Sequence, residues 1–137
     1  MENLSVRKLN LSDIDRVKSI YSDSFDKEVN SFVNYTNEDI YVACLENKVV
    51  GMCMVNYIDD IFISKRTAFI NAVCVDKEFR NRGIASFMLS EIERIVTLDG
   101  SSEIMLTSSS KRKDANKLYE KLGFGIYDTN VFKKRLS

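Results

Sequence analysis

A nearly unbroken apolar run from Ala68 to Val75 constrains the fold of this chain more than any other feature. Such a run is typical of a central strand that is covered on both faces of a sheet. A short charged loop follows it, and apolar residues then recur at helical spacing from Ile84 to Val96. Glu103 to Ser108 is predicted to be the next strand. A strand, a helix and a strand in this order predict a right-handed crossover between parallel strands, and therefore an α/β domain.

The remaining segments predict shorter elements on both sides of this unit. Ser5 to Leu9 is expected to form a first strand, and Ser12 with Asp15 resembles a capping box at the start of a helix. A second short helix and a loop are expected within residues 22–38. The other predictions are hairpin strands at Ile40–Leu45 and Val49–Tyr57 around a turn at 46–48, a longer connection at 58–66, a helix that carries Ala115, Leu118, Tyr119 and Leu122 and ends at Gly123, and closing strands at Phe124–Tyr127 and Val131–Leu136.

The composition is that of an ordinary globular chain of 137 residues, with 45% hydrophobic and 29% charged residues. This length suits one domain over residues 1–137. Lysine and arginine (20) balance aspartate and glutamate (20), so no excess of positive charge predicts nucleic-acid binding. The start of the chain lacks a signal-peptide pattern, and no apolar stretch approaches the ~20 residues of a membrane span. A cytoplasmic protein without membrane attachment is expected.

Scarce residue types narrow the chemistry further. The chain has no histidine, which removes the commonest general base and the Ser-His and Cys-His triads. Its three cysteines, Cys44, Cys53 and Cys74, lie in apolar runs without CxxC spacing. This pattern disfavours a disulfide framework and a zinc site. They are expected to be buried free thiols in a reducing compartment.

The charged loop between the central strand and the long helix is the first candidate for chemistry. It ends in Arg80-Asn81-Arg82-Gly83-Ile84-Ala85, where the helix begins. The start of a helix presents unpaired backbone N–H groups and a partial positive charge, which suit a phosphate. Gly83 and Ala85 would allow a close approach to the backbone, and the arginines can add charge. The alternative is that Gly83 serves only as a turn residue and the arginines are solvated.

Arg80–Ala85 resembles the (Q/R)xxGx(G/A) pyrophosphate loop of the GNAT family of acyl-CoA N-acyltransferases. The segment from Arg112 to Phe124 resembles a later motif of that family, R-x-x-A-x-x-(F/L)-Y-E-K-L-G-F, almost letter for letter. Val6-Arg7 followed by Asp13, and Val49-Val50-Gly51, are similar to earlier parts of the same pattern. The resemblance implies a mixed central sheet of about six to seven strands with about four helices, in which two parallel strands splay at the cofactor site.

The resemblance also implies acetyl-CoA as the acyl-donor cosubstrate, with no metal. In the family the pantetheine arm inserts between the splayed strands, and the loop holds the pyrophosphate. The implied binding residues are the backbone of Val73, Cys74 and Val75 for the pantetheine amides, the backbone of Arg80, Asn81, Arg82, Gly83, Ile84, Ala85 and Ser86 for the pyrophosphate, and Asn116 for the pantetheine arm. For Asn116, solvated helix polarity is an equally good interpretation.

Tyr119 occupies the position where the family commonly keeps a general acid for the leaving thiolate. The alternative is a core aromatic between Leu118 and Leu122. No general base is predicted, because the strand 69–75 contains no acid, and Asn71 stands where several relatives have glutamate. The remaining acids on segments that border the acceptor side in relatives are Asp26, Glu28, Asp59 and Asp60, each also explained as a solvated loop charge. Cys74 as an acyl-carrying nucleophile is disfavoured, because transfer in the family is direct and no base flanks it.

The function implied by the resemblance is N-acetylation of a primary amine in a ternary complex, by a monomer or a homodimer. A small-molecule amine is preferred over a protein lysine or N-terminus, because neutral charge and short loops offer no peptide-docking feature. Acceptor specificity is expected in segments 22–38 and 58–66. One alternative is a non-catalytic acyl-CoA-binding or sensing domain, favoured by the missing strand acid. A more remote one is an unrelated nucleotide-binding α/β protein.

Overall fold

The computed structural model describes residues 3–29 and 39–137, which belong to two compact units. The first unit ends at Thr107, and the second runs from Ser108 to Ser137. The first contains β1 (Leu4–Lys8), α1 (Ile14–Phe25), β2 (Asp39–Leu45), β3 (Lys48–Asp60), β4 (Lys65–Val75), α2 (Ile84–Leu98) and β5 (Glu103–Leu106), with single 3-10 turns at Leu11–Asp13 and Lys77–Phe79. The second contains α3 (Lys113–Lys121).

The strands form one mixed sheet in the order β1-β2-β3-β4-β5. The first three pairs are antiparallel, and β4 pairs with β5 in parallel. Since α2 connects β4 to β5, the predicted α/β fold with parallel strands joined by a helix is confirmed. The hairpin of β2 and β3 is confirmed as well, with a tight turn in which Glu46 has a φ of 56°.

The predicted connection at 58–66 is wrong, because both strands of the next hairpin continue into it. Asp59 pairs with Arg66 and Asp60 with Lys65, which leaves only residues 61–64 as a turn. Arg66 Nε donates to Asp59 Oδ1 at 2.7 Å, and its Nη2 donates to Oδ2 at 2.9 Å. Opposite charges across two strands stabilise such a pair, which a search for apolar residues does not detect.

The predicted closing strands are also wrong. The second unit, all of it described, contains no strand at Phe124–Tyr127 or Val131–Leu136. Apolar side chains there remain exposed, for example Ile126 (95%) and Phe132 (92%). A short segment with apolar residues does not make a strand unless a partner backbone takes up its N–H and C=O groups. In its described residues the chain therefore has five strands and three α-helices, fewer than expected.

The start of the first helix differs from the prediction. The backbone N–H of Asn10 donates to Asp13 Oδ2 at 2.8 Å, so the cap lies two residues before the proposed Ser12 and Asp15. Arg7 from β1 occupies both oxygens of the Asp13 carboxylate, at 2.6 and 3.1 Å. The helix α1 then continues to Phe25, which includes part of the region 22–38. The second helix predicted there falls mostly on residues outside the described part of the chain.

Helices cover both faces of the sheet. On one face, α1 contributes Val17 and Ile20 to an apolar cluster whose sheet members are Val42, Cys44, Val49, Met52 and Cys74. Residues that alternate with these, such as Ala43 and Cys53, are fully buried on the other face. There α2 contacts β1, β3 and β4 through its apolar stripe of Ile84, Met88, Leu89, Ile92 and Val96. This packing fixes the start of α2 close behind the end of β4.

Candidate functional site

Residues 76–83 form the loop that connects β4 to the start of α2, and they include several of the residues predicted to hold a pyrophosphate. We call this segment the phosphate loop. Gly83 precedes the first helical turn with φ 77° and ψ 12°, and Asn81 has a φ of 64°. Left-handed residues before a helix turn successive backbone N–H groups toward one concave side, which is an anion-binding arrangement. Phe87 donates to the Gly83 carbonyl at 3.0 Å. The N–H groups before Phe87 are therefore those that a helix start leaves without intrahelical partners.

Gly83 is required by its backbone angle. A Cβ built at this position meets no atom within 4 Å, so space alone would allow a larger residue. A positive φ, however, is costly for a residue with a side chain.

The two arginines of the loop have different surroundings. Arg80 turns back toward the sheet, where its Nε donates to the Val75 carbonyl at 3.0 Å and its Nη2 to Ser24 Oγ at 3.2 Å. The Arg82 guanidinium lies 5.1 Å from the centre of the Phe79 ring. Lys48 Nζ lies 5.0 Å from the centre of the same ring. Arg80 therefore helps to shape the loop, and Arg82 and Lys48 place positive charge against the Phe79 ring.

The strand β4 has an open edge next to this loop. Its parallel ladder with β5 joins Thr67–Ile70 to Glu103–Leu106 and ends there, while β4 continues to Val75. On the other side β4 remains paired with β3 as far as Val75, which lies opposite Gly51. Within the described first unit, residues 71–75 of β4 thus extend beyond the ladder with β5.

Backbone groups of Val75 point toward this open edge. Asp76 N–H donates to the Val50 carbonyl at 2.7 Å, so the backbone of Asp76 faces β3. In an antiparallel pair, successive residues direct their N–H and C=O groups to opposite sides. Val75 therefore faces away from β3, and its carbonyl already accepts the hydrogen bond from Arg80. Its N–H remains on the side where β4 and β5 separate.

A β-bulge interrupts β4 at the same level. The register shifts between Met52 and Met54 of β3, opposite the segment of β4 that contains Ala72. Ala72 adopts a φ of 53°, which is unusual for a residue with a Cβ, and its N–H donates to Asn71 Oδ1 at 2.9 Å. Asn71 is exposed. The bulge thus bends β4 where the ladder with β5 ends.

Cys74 does not have the surroundings of a nucleophile. Its side chain is 6% exposed and packs in the apolar cluster under α1. Cys44 belongs to the same cluster, and Cys53 is fully buried. Burial raises the pKa of Cys53 to about 12. The prediction of buried free thiols is confirmed for all three cysteines.

Two residues of this region were missed in the sequence. Arg16 of α1 forms an ion pair with Asp76, the first residue of the phosphate loop, through Nη2 and Oδ2. Burial would raise the pKa of Asp76, but hydrogen bonds from the Glu78 N–H and from Arg16 outweigh it, so this pKa lies below its ordinary value. The position of Asp76 directly after the central strand was the only available signal. No local pattern connects it to a residue 60 positions earlier.

The second unit contains the two remaining predicted residues, both on α3. Tyr119 is buried, with its ring 6.0 Å from that of Phe124 in an edge-on arrangement. Burial raises the pKa of Tyr119, although the positive charge of Arg112 opposes this, so the hydroxyl is protonated at neutral pH. Asn116 Nδ2 donates to the Ser109 carbonyl at 2.9 Å. The side chain of Asn116 therefore stabilises the turn that precedes α3.

The described part of the chain contains no group of three or more Asp, Glu, Cys or His side chains that could hold a metal ion. Among helices of residues 3–29 and 39–137, none is both long and apolar enough to cross a membrane.

Asp59, one of the acids on segments that border the acceptor side in relatives, accepts hydrogen bonds from Arg66 on both carboxylate oxygens. Arg66 lies five residues before Asn71 along β4, which corresponds to roughly 17 Å.

Three kinds of comparison place the chain among known proteins. It is 30% identical over 118 residues to N-acetylaspartate synthetase of Danio rerio, covering 86% of this chain and 39% of that protein. It is 29% identical over 94 residues to human N-acetyltransferase 8, covering 69% of this chain and 41% of that protein. The chain therefore spans less than half the length of either relative.

Solved structures support the fold. An aminoglycoside acetyltransferase, meta-AAC0020 from an uncultured soil metagenomic sample, has a TM-score of 0.83 at 20% identity, covering 98% of this chain and 97% of that chain. A transcriptional regulator from Bacillus halodurans C-125 has a TM-score of 0.85 at 21% identity, covering 98% and 100%. At such identities the likeness concerns the fold alone. The family model described as "Acetyltransferase (GNAT) family" matches residues 8–124, and the chain belongs to that family.

Proposed function

We propose that this chain transfers the acetyl group of acetyl-CoA to a primary amine by direct attack in a ternary complex. The observation that carries the proposal is the open edge of β4 leading into a loop of left-handed residues at the start of α2. An extended, polar arm that ends in a pyrophosphate matches this order of features. Family membership independently supports acetyl-CoA as the donor.

The backbone segment of Val73, Cys74 and Val75 is proposed to lie beside the pantetheine arm as an added strand would, with alternate residues supplying the hydrogen bonds to the pantetheine amides. The Val75 N–H is the best placed donor, because it lies on the side where β4 and β5 separate. The Val75 carbonyl is a weaker candidate, because it already accepts a hydrogen bond from Arg80. The pyrophosphate is proposed to bind the backbone of residues 80–86. Asn116 is proposed as an additional contact to the pantetheine arm, although its amide already donates to the Ser109 carbonyl.

The reaction forms a C–N bond and breaks the C–S bond of the thioester. The neutral amine attacks the carbonyl carbon, and the electron pair of the C–S bond leaves on sulfur as a thiolate. Tyr119 is proposed to give its proton to that thiolate, for which its protonated, buried hydroxyl is suited. The proton released by the amine passes to water, and the exposed Asn71 can orient a water molecule without accepting the proton.

The acceptor is proposed to be a small-molecule amine. The name of one relative supports an amine acceptor of modest size, since it is an N-acetylaspartate synthetase. The absence of an acid on β4 supports a second candidate, a domain that binds acyl-CoA without turnover.

One experiment tests both candidates. A panel of amines and peptides is incubated with the protein and acetyl-CoA, and released CoA thiol is measured alongside calorimetric binding of CoA. Turnover with an amine supports the enzyme. Binding with no turnover across the panel would support the acyl-CoA-binding domain, and absence of both would refute the cofactor assignment.

A further inference from the structure

Asp76 is held from several sides at the junction between β4 and the phosphate loop. Its N–H donates to the Val50 carbonyl at 2.7 Å, which continues the pairing with β3. Its carbonyl accepts from Phe79 N–H at 2.8 Å, and its Oδ1 accepts from Glu78 N–H at 3.0 Å. The single turn at Lys77–Phe79 is therefore built on this one residue.

Arg16 connects this junction to α1. Its Nη2 forms the ion pair with Asp76 Oδ2, and its Nε donates to the Val49 carbonyl at 2.9 Å. The side chain of Asp76 is 11% exposed and that of Arg16 is 33% exposed. One guanidinium thus binds the end of the loop and the neighbouring strand at the same time.

Two more contacts join α1 to the loop. Lys77 Nζ lies 3.6 Å from Asp23 Oδ1, and Arg80 Nη2 donates to Ser24 Oγ at 3.2 Å. Both contacts are exposed, and they lie about two helical turns beyond Arg16 on α1. The loop is therefore fastened to α1 at its first, second and fifth residues.

The loop requires such support. Asn81 and Gly83 both have left-handed backbone angles, and only Gly83 adopts them without steric cost. A strained loop keeps its backbone N–H groups directed toward one point only if neighbouring residues hold the backbone in place. When a loop is preorganised, less of the binding free energy is offset by the entropy cost of ordering it.

We propose that Arg16 and Asp76 are positioning residues that brace the phosphate loop in its binding conformation through α1. This inference rests on the proposed role of the loop in holding acetyl-CoA. The pair touches no reacting atom, so it acts on cofactor affinity through the backbone of residues 77–86.

The first test measures the apo protein, so that it does not depend on turnover. Hydrogen exchange is compared between wild type, Asp76→Asn and Arg16→Met, with Arg94→Met as the matched control. Arg94 pairs with Glu91 on the exposed side of α2, away from the loop. In Asp76→Asn and Arg16→Met, the two brace variants, we expect faster amide hydrogen exchange that is confined to residues 77–86. In the control, these residues should exchange at the wild-type rate. Unchanged exchange in the loop, or faster exchange spread over the whole sheet, would overturn the proposal.

The second test measures acetyl-CoA affinity. Each brace variant is expected to raise the CoA dissociation constant and the acetyl-CoA KM by about three- to tenfold while kcat stays within about twofold. The double variant should be no worse than Asp76→Asn alone, because both changes remove the same brace. Arg16→Lys should bind CoA more tightly than Arg16→Met but more weakly than wild type, since lysine has one donor nitrogen where Arg16 uses both Nε and Nη2. A loss of kcat with unchanged KM, or additive effects of the two changes, would contradict the brace.

The two proposals fail separately. If the wild type does not bind CoA, the proposed function fails, and hydrogen exchange still decides whether Arg16 and Asp76 hold the loop. If the wild type binds CoA and the variants bind it equally well, only the brace is refuted.

Discussion

Gly83 tests the phosphate loop at the scale of one residue. Gly83→Glu places a negative charge at the start of α2 and a side chain where φ is 77°. We expect calorimetry to show CoA affinity reduced at least about fivefold. Gly100→Glu is the matched control, because Gly100 also has a positive φ (92°) and open space for a Cβ but follows the other end of the helix. Unchanged CoA affinity in folded Gly83→Glu would contradict the site.

Tyr119→Phe tests the proposed acid. The ring and its contact with Phe124 are retained, so folding should survive while the proton donor is lost. A general acid contributes about 10²–10⁴-fold, and we expect kcat to fall by about 10²-fold because the CoA thiol is already a fair leaving group. Acetyl-CoA KM should change little. Tyr127→Phe, which alters a tyrosine that is 78% exposed, serves as the control.

The pH dependence of Tyr119 has a defined sign. The protonated hydroxyl is the active form, and burial raises its pKa above the ordinary value of 10.0. Activity that depends on the Tyr119 proton is therefore retained as pH rises to 10.0, and it is lost only as pH passes the higher, folded-state pKa. A wild-type rate in the phenylalanine variant would mean that solvent protonates the sulfur and Tyr119 serves only in packing.

Cys74→Ala tests direct transfer. Since Cys74 packs in the cluster under α1, its truncation should lower the melting temperature while turnover remains measurable. Cys44→Ala, from the same cluster, should behave in the same way. An acetylated Cys74 that forms and decays as fast as turnover would overturn the direct mechanism.

At the scale of elements, Arg7 and Asp13 join β1 to the start of α1. Asp13→Asn weakens a pair in which the Asp13 side chain is only 9% exposed, and we expect a loss of about 2 kcal/mol in unfolding free energy at pH 7, since Arg7 is partly exposed. Asp15→Asn, an exposed position on the same helix turn, should cost little. Equal stability of both variants would show that the ion pair contributes nothing measurable.

The same ion pair predicts how stability changes with pH. The hydrogen bond from Arg7, although opposed by burial, lowers the pKa of Asp13 below its ordinary value of 3.8. The stabilisation is therefore fully present above that ordinary value and is lost as pH falls through the lower, folded-state pKa. The difference in unfolding free energy between wild type and Asp13→Asn should shrink over the same range. A difference that persists at the lowest pH would assign the effect to packing.

At the scale of the whole molecule, ligand binding should raise the melting temperature. Acetyl-CoA at about 100 times its dissociation constant adds about 2.7 kcal/mol, which corresponds to roughly 5–10 °C for a chain of this size. Gly83→Glu should show a smaller shift at the same concentration. ATP and NAD should give little shift, and a larger shift with either would instead favour an unrelated nucleotide-binding protein.

Elements whose patterns are local could be predicted from the amino-acid sequence. The central strand, the long helix after it, the glycine at the helix start and the second motif up to Gly123 were all recognisable, because periodicity and backbone requirements act within a few residues. The same reasoning located the loop and its backbone donors, which depend only on a strand ending and a helix beginning.

Contacts between distant groups became visible only in the folded chain, since the tertiary structure determines which segments meet. It extended β3 and β4 through the Asp59–Arg66 pair, ended the ladder between β4 and β5 at Ile70, and turned Arg80 back onto Val75. It also joined Arg16 to Asp76 across 60 positions of the chain. Such contacts follow from how α1 and the strands pack against each other, and a pattern read along one segment contains no information about the surface that another segment brings to it.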